Sequence, residues 1–473
     1  MEGIKLGDSR ETVVAKPGNP FAGKKQCKHY GREIAMRRLF IAVVLLSALA
    51  NTSHSQSVVD TTLSLSKNDM QWWRDAKFGL FIHFGLYAIP GRGEWVMWEE
   101  QIDTAEYSKL RDKFTCEKFD AAQWVDIAKH AGCKYMVVTA RHHDGFCLFD
   151  THFGDYDARH SAAKRDLIGE YVDAAHKAGM RTGIYYSPLD WRYPGFFFPE
   201  LYRTNAEEMK KQTYAQVREL LTQYGKIDIL WYDGGEDNWL GFGGLKWDGV
   251  SGWHTRGFEK PYTGKFSWGP IKLNTMVREL QPAIVISQRS GWMGDFETQE
   301  VRLREPTENR PWELCTNLGG TAWGWTPSAA AQAMSLDSCI ALLVRVVSQD
   351  GNLLLNVGPR PDGSIEPAQV HRLKEIGDFL LKYGESIYNT RGGIYDARWG
   401  GSTITERAVY VHIVNVPPEK AVSLPPISQQ VTSARYLRDN SKATFVQSDA
   451  GISLVNIADR QSEPDLIIKL TLK

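Results

Sequence analysis

The sequence is short of cysteine, of net charge and of long apolar runs, and each shortage excludes a class of protein. Six cysteines in 473 residues, with no CxxC spacing, give neither a disulfide framework nor a cysteine zinc site. Cys133 and Cys339 sit in apolar patterns suited to buried thiols. Lysine plus arginine (56) equal aspartate plus glutamate (56), so the formal net charge is zero. That leaves no basic footprint for nucleic acid. The apolar run within "MRRLFIAVVLLSALANTSHSQ" (Met36–Gln56) is too short for a membrane span, and no later stretch reaches the needed length. Its basic start, apolar centre and small-residue exit are those of a secretory signal. We expect a signal peptide over residues 36–55 cut after Ser55, a periplasmic or secreted product, no membrane span in the mature chain, and a non-native or disordered extension over residues 1–35.

What is present is a chain able to bury a large core. It is 42% hydrophobic and 24% charged. Aromatic residues make up 11%, and many of the 16 tryptophans lie in glycine-rich loops rather than core patterns, a distribution typical of sugar-binding sites. From about residue 70 to 388 strand and helix alternate. "KFGLFIHFG", "KYMVVTAR", "RTGIYYS", "DILWYDGG", "AIVISQR" and "NLLLNVG" read as buried strands, six in all. Between them lie helical repeats with stop and start signals: Asp120 as a cap, Gly179 as a stop, and Asn205 with Glu208 as a capping box. This spacing predicts an α/β fold, an irregular (β/α)8-like TIM barrel over residues 60–388. From Gly392 the runs "AVYVHIVN", "SARYLR", "ISLVNI" and "DLIIKLTL" lack helical period. They predict a C-terminal all-β sandwich over residues 392–473.

Reactive groups of a parallel barrel gather at the C-terminal strand ends. Polar residues recur there: His83; then Arg141, His142, His143 and Asp144 in "ARHHDGF"; then Tyr185 and Tyr186; then Asp233; then Arg289. Packing alone does not place polar groups on five strand ends. His142 and His143 also invite a metal reading. Adjacent residues on a strand point to opposite faces, however, so the pair shares an ion only if the chain has already turned. No metal and no cofactor are expected.

The stretches "WWRDAKFGLFIHFGLYAIPGRGEWVMW", "VVTARHHDGFCLFDT", "KRDLIGEYVDAAHKAGMRTGIYYSPLDW", "ILWYDGG", "GDFETQE" and "GNLLLNVGPRPDGSI" closely resemble, in order and spacing, the α-L-fucosidases of glycoside hydrolase family 29. The resemblance covers about Trp72 to Tyr388. It implies a retaining exo-glycosidase that removes terminal α-L-fucose from an oligosaccharide or glycoconjugate, without a cofactor. It places the nucleophile at Asp233 and the general acid/base at Glu300. It assigns the sugar to His83, Glu94, Trp95, His142, His143, Tyr186, Trp231, Arg289 and Trp323. Position alone leaves the acid/base open among Asp295, Glu297, Glu300, Glu305, Glu308 and Glu313. Two rival readings share the fold: an α-L-galactosidase-type relative, and an inactive fucose-binding protein. The loop Gly234–Pro270, with Trp239, Trp247, Trp253 and Trp268, is either a stacking surface for the leaving group or a self-packed rim.

Overall fold

The computed structural model describes residues 60–234, 264–304, 310–329 and 331–473, with the backbone of a hairpin at Leu245–Trp247 and Trp253–Thr255. The expected signal, and Trp239, Glu305 and Glu308, lie outside the described residues, as do the side chains of Trp247 and Trp253.

Eight parallel strands form one curled sheet. They are β1 (Phe78–Ile82), β2 (Tyr135–Arg141), β3 (Arg181–Tyr186), β4 (Ile229–Tyr232), β5 (Val285–Ile286), β6 (Glu297–Glu300), β7 (Trp312–Asn317) and β8 (Asn352–Val357). Spatial order follows chain order, with β8 paired to β1. The seam between β5 and β6 is closed by one parallel bridge, Ser287 to Phe296. This is the predicted barrel, with two strands the sequence hid. The four residues of β6 are "ETQE", which carry no apolar signal, and β7 interrupts its run with a buried glutamate, Glu313.

Strand parity decides what the barrel interior contains. Phe81, Tyr135, Val137, Tyr185, Ile229, Trp231, Val285, Cys315 and Leu354 form the inner cluster. Their chain neighbours Leu80, Met136, Ile184, Tyr186, Leu230 and Tyr232 pack outward, in the core that also holds the helices. Those helices are α1 (Ala121–His130), α2 (Leu167–Ala178), α3 (Arg203–Gln223), α4 (Pro270–Leu280), α5 (Leu336–Val347) and α6 (Pro367–Tyr383). Asp120 caps α1 through the Gln123 amide, and Gly179 ends α2 at φ 68°. The predicted capping box of α3 does not form. The helix begins at Arg203, and Asn205 instead accepts a hydrogen bond from the Gly195 amide at 2.7 Å.

Beyond the barrel lie two antiparallel sheets. One has five strands: β9 (Arg391–Asp396), β10 (Gly400–Ile404), β11 (Ala408–Ile413), β16 (Leu466–Leu472) and β13 (Val431–Tyr436). The other pairs β12 (Val422–Leu424), β15 (Gly451–Val455) and β14 (Thr444–Ser448). Val411, Ile413, Leu454 and Ile468 fill the space between the sheets. Ala408, Tyr410 and Ile467 join the barrel's own core from the other face of the larger sheet. Among the described residues no helix is long and apolar enough to cross a membrane.

Candidate active site

Asp233 follows β4 at the barrel mouth and is 8% exposed. Both its oxygens are held. Oδ2 accepts from Tyr185 Oη at 2.7 Å and Oδ1 accepts from an Arg289 terminal nitrogen at 2.9 Å, while His143 Nε2 stands 3.5 Å from Oδ2. Burial opposes ionisation, but Arg289, His143 and the Tyr185 hydroxyl outweigh it and hold the carboxyl below its ordinary range. Asp233 is therefore a carboxylate at neutral pH.

The other terminal nitrogen of Arg289 donates to Glu300 Oε2 at 2.8 Å, and its Nε donates to Thr298 at 2.8 Å. One guanidinium thus separates a buried carboxylate from a second, at the end of β6, whose side chain is 39% exposed. Glu300 Oε1 also accepts from the indole nitrogen of Trp323 at 3.2 Å. Of the other acid/base candidates, Asp295 and Glu313 are buried and fully engaged elsewhere.

The polar residues predicted at the mouth come together around Asp233. His83 Nδ1 lies 2.7 Å from Asn356 Oδ1, whose amide nitrogen donates to Asn317 and to the Trp323 carbonyl. That orientation puts the His83 proton on Nδ1 and leaves Nε2 as an acceptor. His143 Nδ1 meets the Ser187 hydroxyl at 2.6 Å. Burial drives His83 and His143 down to about 4 and His142 further, so all three are neutral at pH 7. Glu94 accepts from the Trp323 and Gly324 amides at 2.8 and 2.9 Å. Burial pushes it up to about 7 against those bonds. Trp95 meets His143 edge-on at 5.5 Å, and Trp323 lies 5.1 Å from the His83 ring.

His142 and His143 do share one face, because β2 ends at Arg141 and the chain turns there. Their rings are 4.2 Å apart. The turn is tied by Asp144, which accepts from the Phe146 amide and the Tyr107 hydroxyl, with Phe146 and Phe149 buried beneath. His142, His143 and Asp233 offer ligand atoms within 4.8 Å of one another. Arg289 already compensates Asp233, so the set suits hydroxyl groups better than a cation.

Tyr186 does not belong to this site. It points out of the barrel, where its hydroxyl donates to Gln216 of α3 at 2.9 Å, and its neighbour Tyr185 takes the inward position. Trp231 lies inside the barrel as its floor, 2% exposed, with the Arg289 guanidinium 4.9 Å above its ring. Trp268 is fully buried and offers no stacking surface. Asn356 and Ser187 carry no signal in the sequence, Glu313 stands there only among the acid/base candidates, and Tyr185 only as a polar strand end. Inward parity with Trp231 and Asp233 was the signal available for Tyr185.

The family model described as alpha-L-fucosidase matches residues 45–385. The chain belongs to the α-L-fucosidase family. It is similar to the plasma alpha-L-fucosidase of Homo sapiens, 29% identical over 78% of this chain and 79% of that protein. Among solved structures it resembles alpha-L-fucosidase isoenzyme 1 from Paenibacillus thiaminolyticus (32% identity, 86% of this chain and 99% of the other, TM-score 0.72). It also resembles a GH29 alpha-L-fucosidase from Bacteroides thetaiotaomicron trapped as a covalent intermediate with 2-fluoro-fucosyl fluoride (25% identity, 89% and 99%, TM-score 0.76). A covalent intermediate is the species a retaining, double-displacement glycosidase forms.

Proposed function

We propose that this α-L-fucosidase hydrolyses terminal α-L-fucose from glycans with Asp233 as nucleophile and Glu300 as acid/base. The observation that carries this is the Arg289 guanidinium bonded to both carboxylates at the barrel mouth. Asp233, ionised and aimed by Tyr185 and Arg289, attacks the anomeric carbon. The glycosidic C–O bond breaks and Glu300 gives its proton to the departing oxygen. Water then attacks the fucosyl ester, Glu300 takes the water proton, and Asp233 leaves as carboxylate. Neutral His83, His142 and His143 with Glu94 supply donors and acceptors for the sugar hydroxyls. Trp95 and Trp323 form aromatic walls, and Trp231 is the floor.

A panel of 4-nitrophenyl glycosides tests the substrate. Release from the α-L-fucoside is expected. Faster release from the α-L-galactoside would favour the galactosidase reading, and silence on every glycoside the binding-protein reading. Glu300→Ala tests the acid/base: natural fucosides should slow far more than aryl fucosides, and azide should rescue the aryl reaction with retained configuration. Equal rates on both substrates, with the selective loss appearing in Glu297→Ala, would move the role to Glu297.

The signal pattern of residues 36–55 supports export to the periplasm or medium. Mass spectrometry of the mature N-terminus should find it at Gln56, and a retained Met36 would contradict export.

A further inference from the structure

Beneath the catalytic pair, inside the barrel, sits a carboxylate with no assigned task. Glu313 on β7 is 1% exposed. Its Oε1 accepts from the Trp231 indole nitrogen at 3.0 Å, and its Oε2 accepts from the Tyr135 hydroxyl. A buried glutamate is costly, and leucine or methionine fills a barrel interior without that cost. What Glu313 holds is a platform. The Trp231 ring stacks on Tyr185 at 5.7 Å with 16° between planes, and Arg289 lies 4.9 Å over the same ring. Tyr185 and Arg289 are the two side chains that bond the two oxygens of Asp233, at 2.7 and 2.9 Å. Both grips on Asp233 therefore rest on one indole, and that indole is fixed by the hydrogen bond it donates to Glu313.

We propose that Glu313 is a positioning residue for the reaction, setting the Trp231 ring so that Tyr185 and Arg289 hold Asp233 at its angle of attack. It touches neither substrate nor the reacting carboxylates. The inference rests on Asp233 as nucleophile. Without the Glu313 acceptor the buried indole N–H has no partner in this cavity, and the ring is free to tilt. A small displacement of a nucleophile costs catalysis steeply, while binding of the sugar hydroxyls at the mouth is untouched.

The test uses the full chain carrying Glu313→Leu, Glu313→Gln and Trp231→Phe, alone and combined, with kcat/KM on 4-nitrophenyl α-L-fucoside and the inhibition constant of L-fucose as readouts. Glu313→Leu should lower kcat/KM about 10- to 100-fold and leave the L-fucose constant within about 3-fold. Glu313→Gln should recover most of that loss, since its carbonyl accepts from Trp231 and its amide donates to the Tyr135 oxygen. In the Trp231→Phe background, which has no N–H to hold, Glu313→Leu should cost no more than about 3-fold further. Independent, multiplying losses would overturn the inference, as would an L-fucose constant that rises in step with the fall in kcat/KM. Trp231→Phe at wild-type kcat/KM would overturn it alone, whether or not Glu313→Leu folds. Asp233→Gly, measured alongside, separates the two ideas: if it keeps its activity the nucleophile assignment fails, irrespective of Glu313.

Discussion

Tyr185 and Tyr186 are adjacent and chemically identical, yet only one reaches Asp233. Tyr185 donates to Asp233 while Tyr186 donates to Gln216 behind the sheet. Tyr185→Phe removes a hydrogen bond to a charged group, worth about 1.5 to 3 kcal/mol, so kcat/KM should fall roughly 10- to 100-fold. Tyr186→Phe should leave kcat/KM within about 3-fold and cost only about 1 kcal/mol of stability. Steady-state kinetics of the two variants decide it, and the reverse ranking would restore Tyr186 to the site. The residue types at the mouth were legible in the sequence because polar groups end strands that are otherwise apolar. The facing of β3 was not, since the strand is buried on both sides from Thr182 to Tyr186. Glu313 was visible only as one acid in a run of acids, because its role depends on Tyr135 and Trp231, which stand far from it in sequence.

Among the elements, the β5–β6 seam is where the barrel is weakest and where Glu300 is carried. The chain returns through Gly294 at φ 63°, where a Cβ would come within 2.7 Å of the Ser287 and Gln288 backbone. Asp295 then staples the seam. Its Oδ2 accepts from Arg278 of α4 and from the Ile286 amide, and its Oδ1 from the Leu65 amide. Its side chain is fully buried, so Asp295→Ala leaves Arg278 unpaired and should destabilise the fold by about 3 to 5 kcal/mol. Urea unfolding would measure this, and a midpoint equal to wild type would mean the seam is held otherwise. The six strands with continuous apolar runs were readable. The two that were not, β6 and β7, carry Glu300 and Glu313 in place of apolar residues, and those charged side chains hide the pattern that signals a strand.

At the scale of the molecule, buried carboxyls and buried histidines pull stability in opposite directions with pH. Burial raises Glu94 and Glu313 to about 7 and Asp144 to about 6. Below those values the folded chain keeps protons that the unfolded chain has released, so these groups make stability fall as pH rises toward 7. His83 and His143, lowered to about 4, do the reverse below their unfolded value of 6.5. Glu313→Gln removes one falling contribution. Its stability relative to wild type should therefore increase from about pH 5 to about pH 8, as read by thermal melting. A constant difference would place the Glu313 carboxyl in its ordinary range. The larger C-terminal sheet is buried on both faces, between the smaller sheet and the barrel helices, which is why "AVYVHI" reads as a continuous apolar strand. Whether Asp233 forms the covalent bond to fucose is decided by Asp233→Gly with 4-nitrophenyl α-L-fucoside and azide, the product followed by NMR. Hydrolysis without azide should be almost wholly lost and, with azide, a fucosyl azide of inverted, β configuration should form. Wild-type hydrolysis by the variant, or an azide product that retains the α configuration, would contradict that role for Asp233.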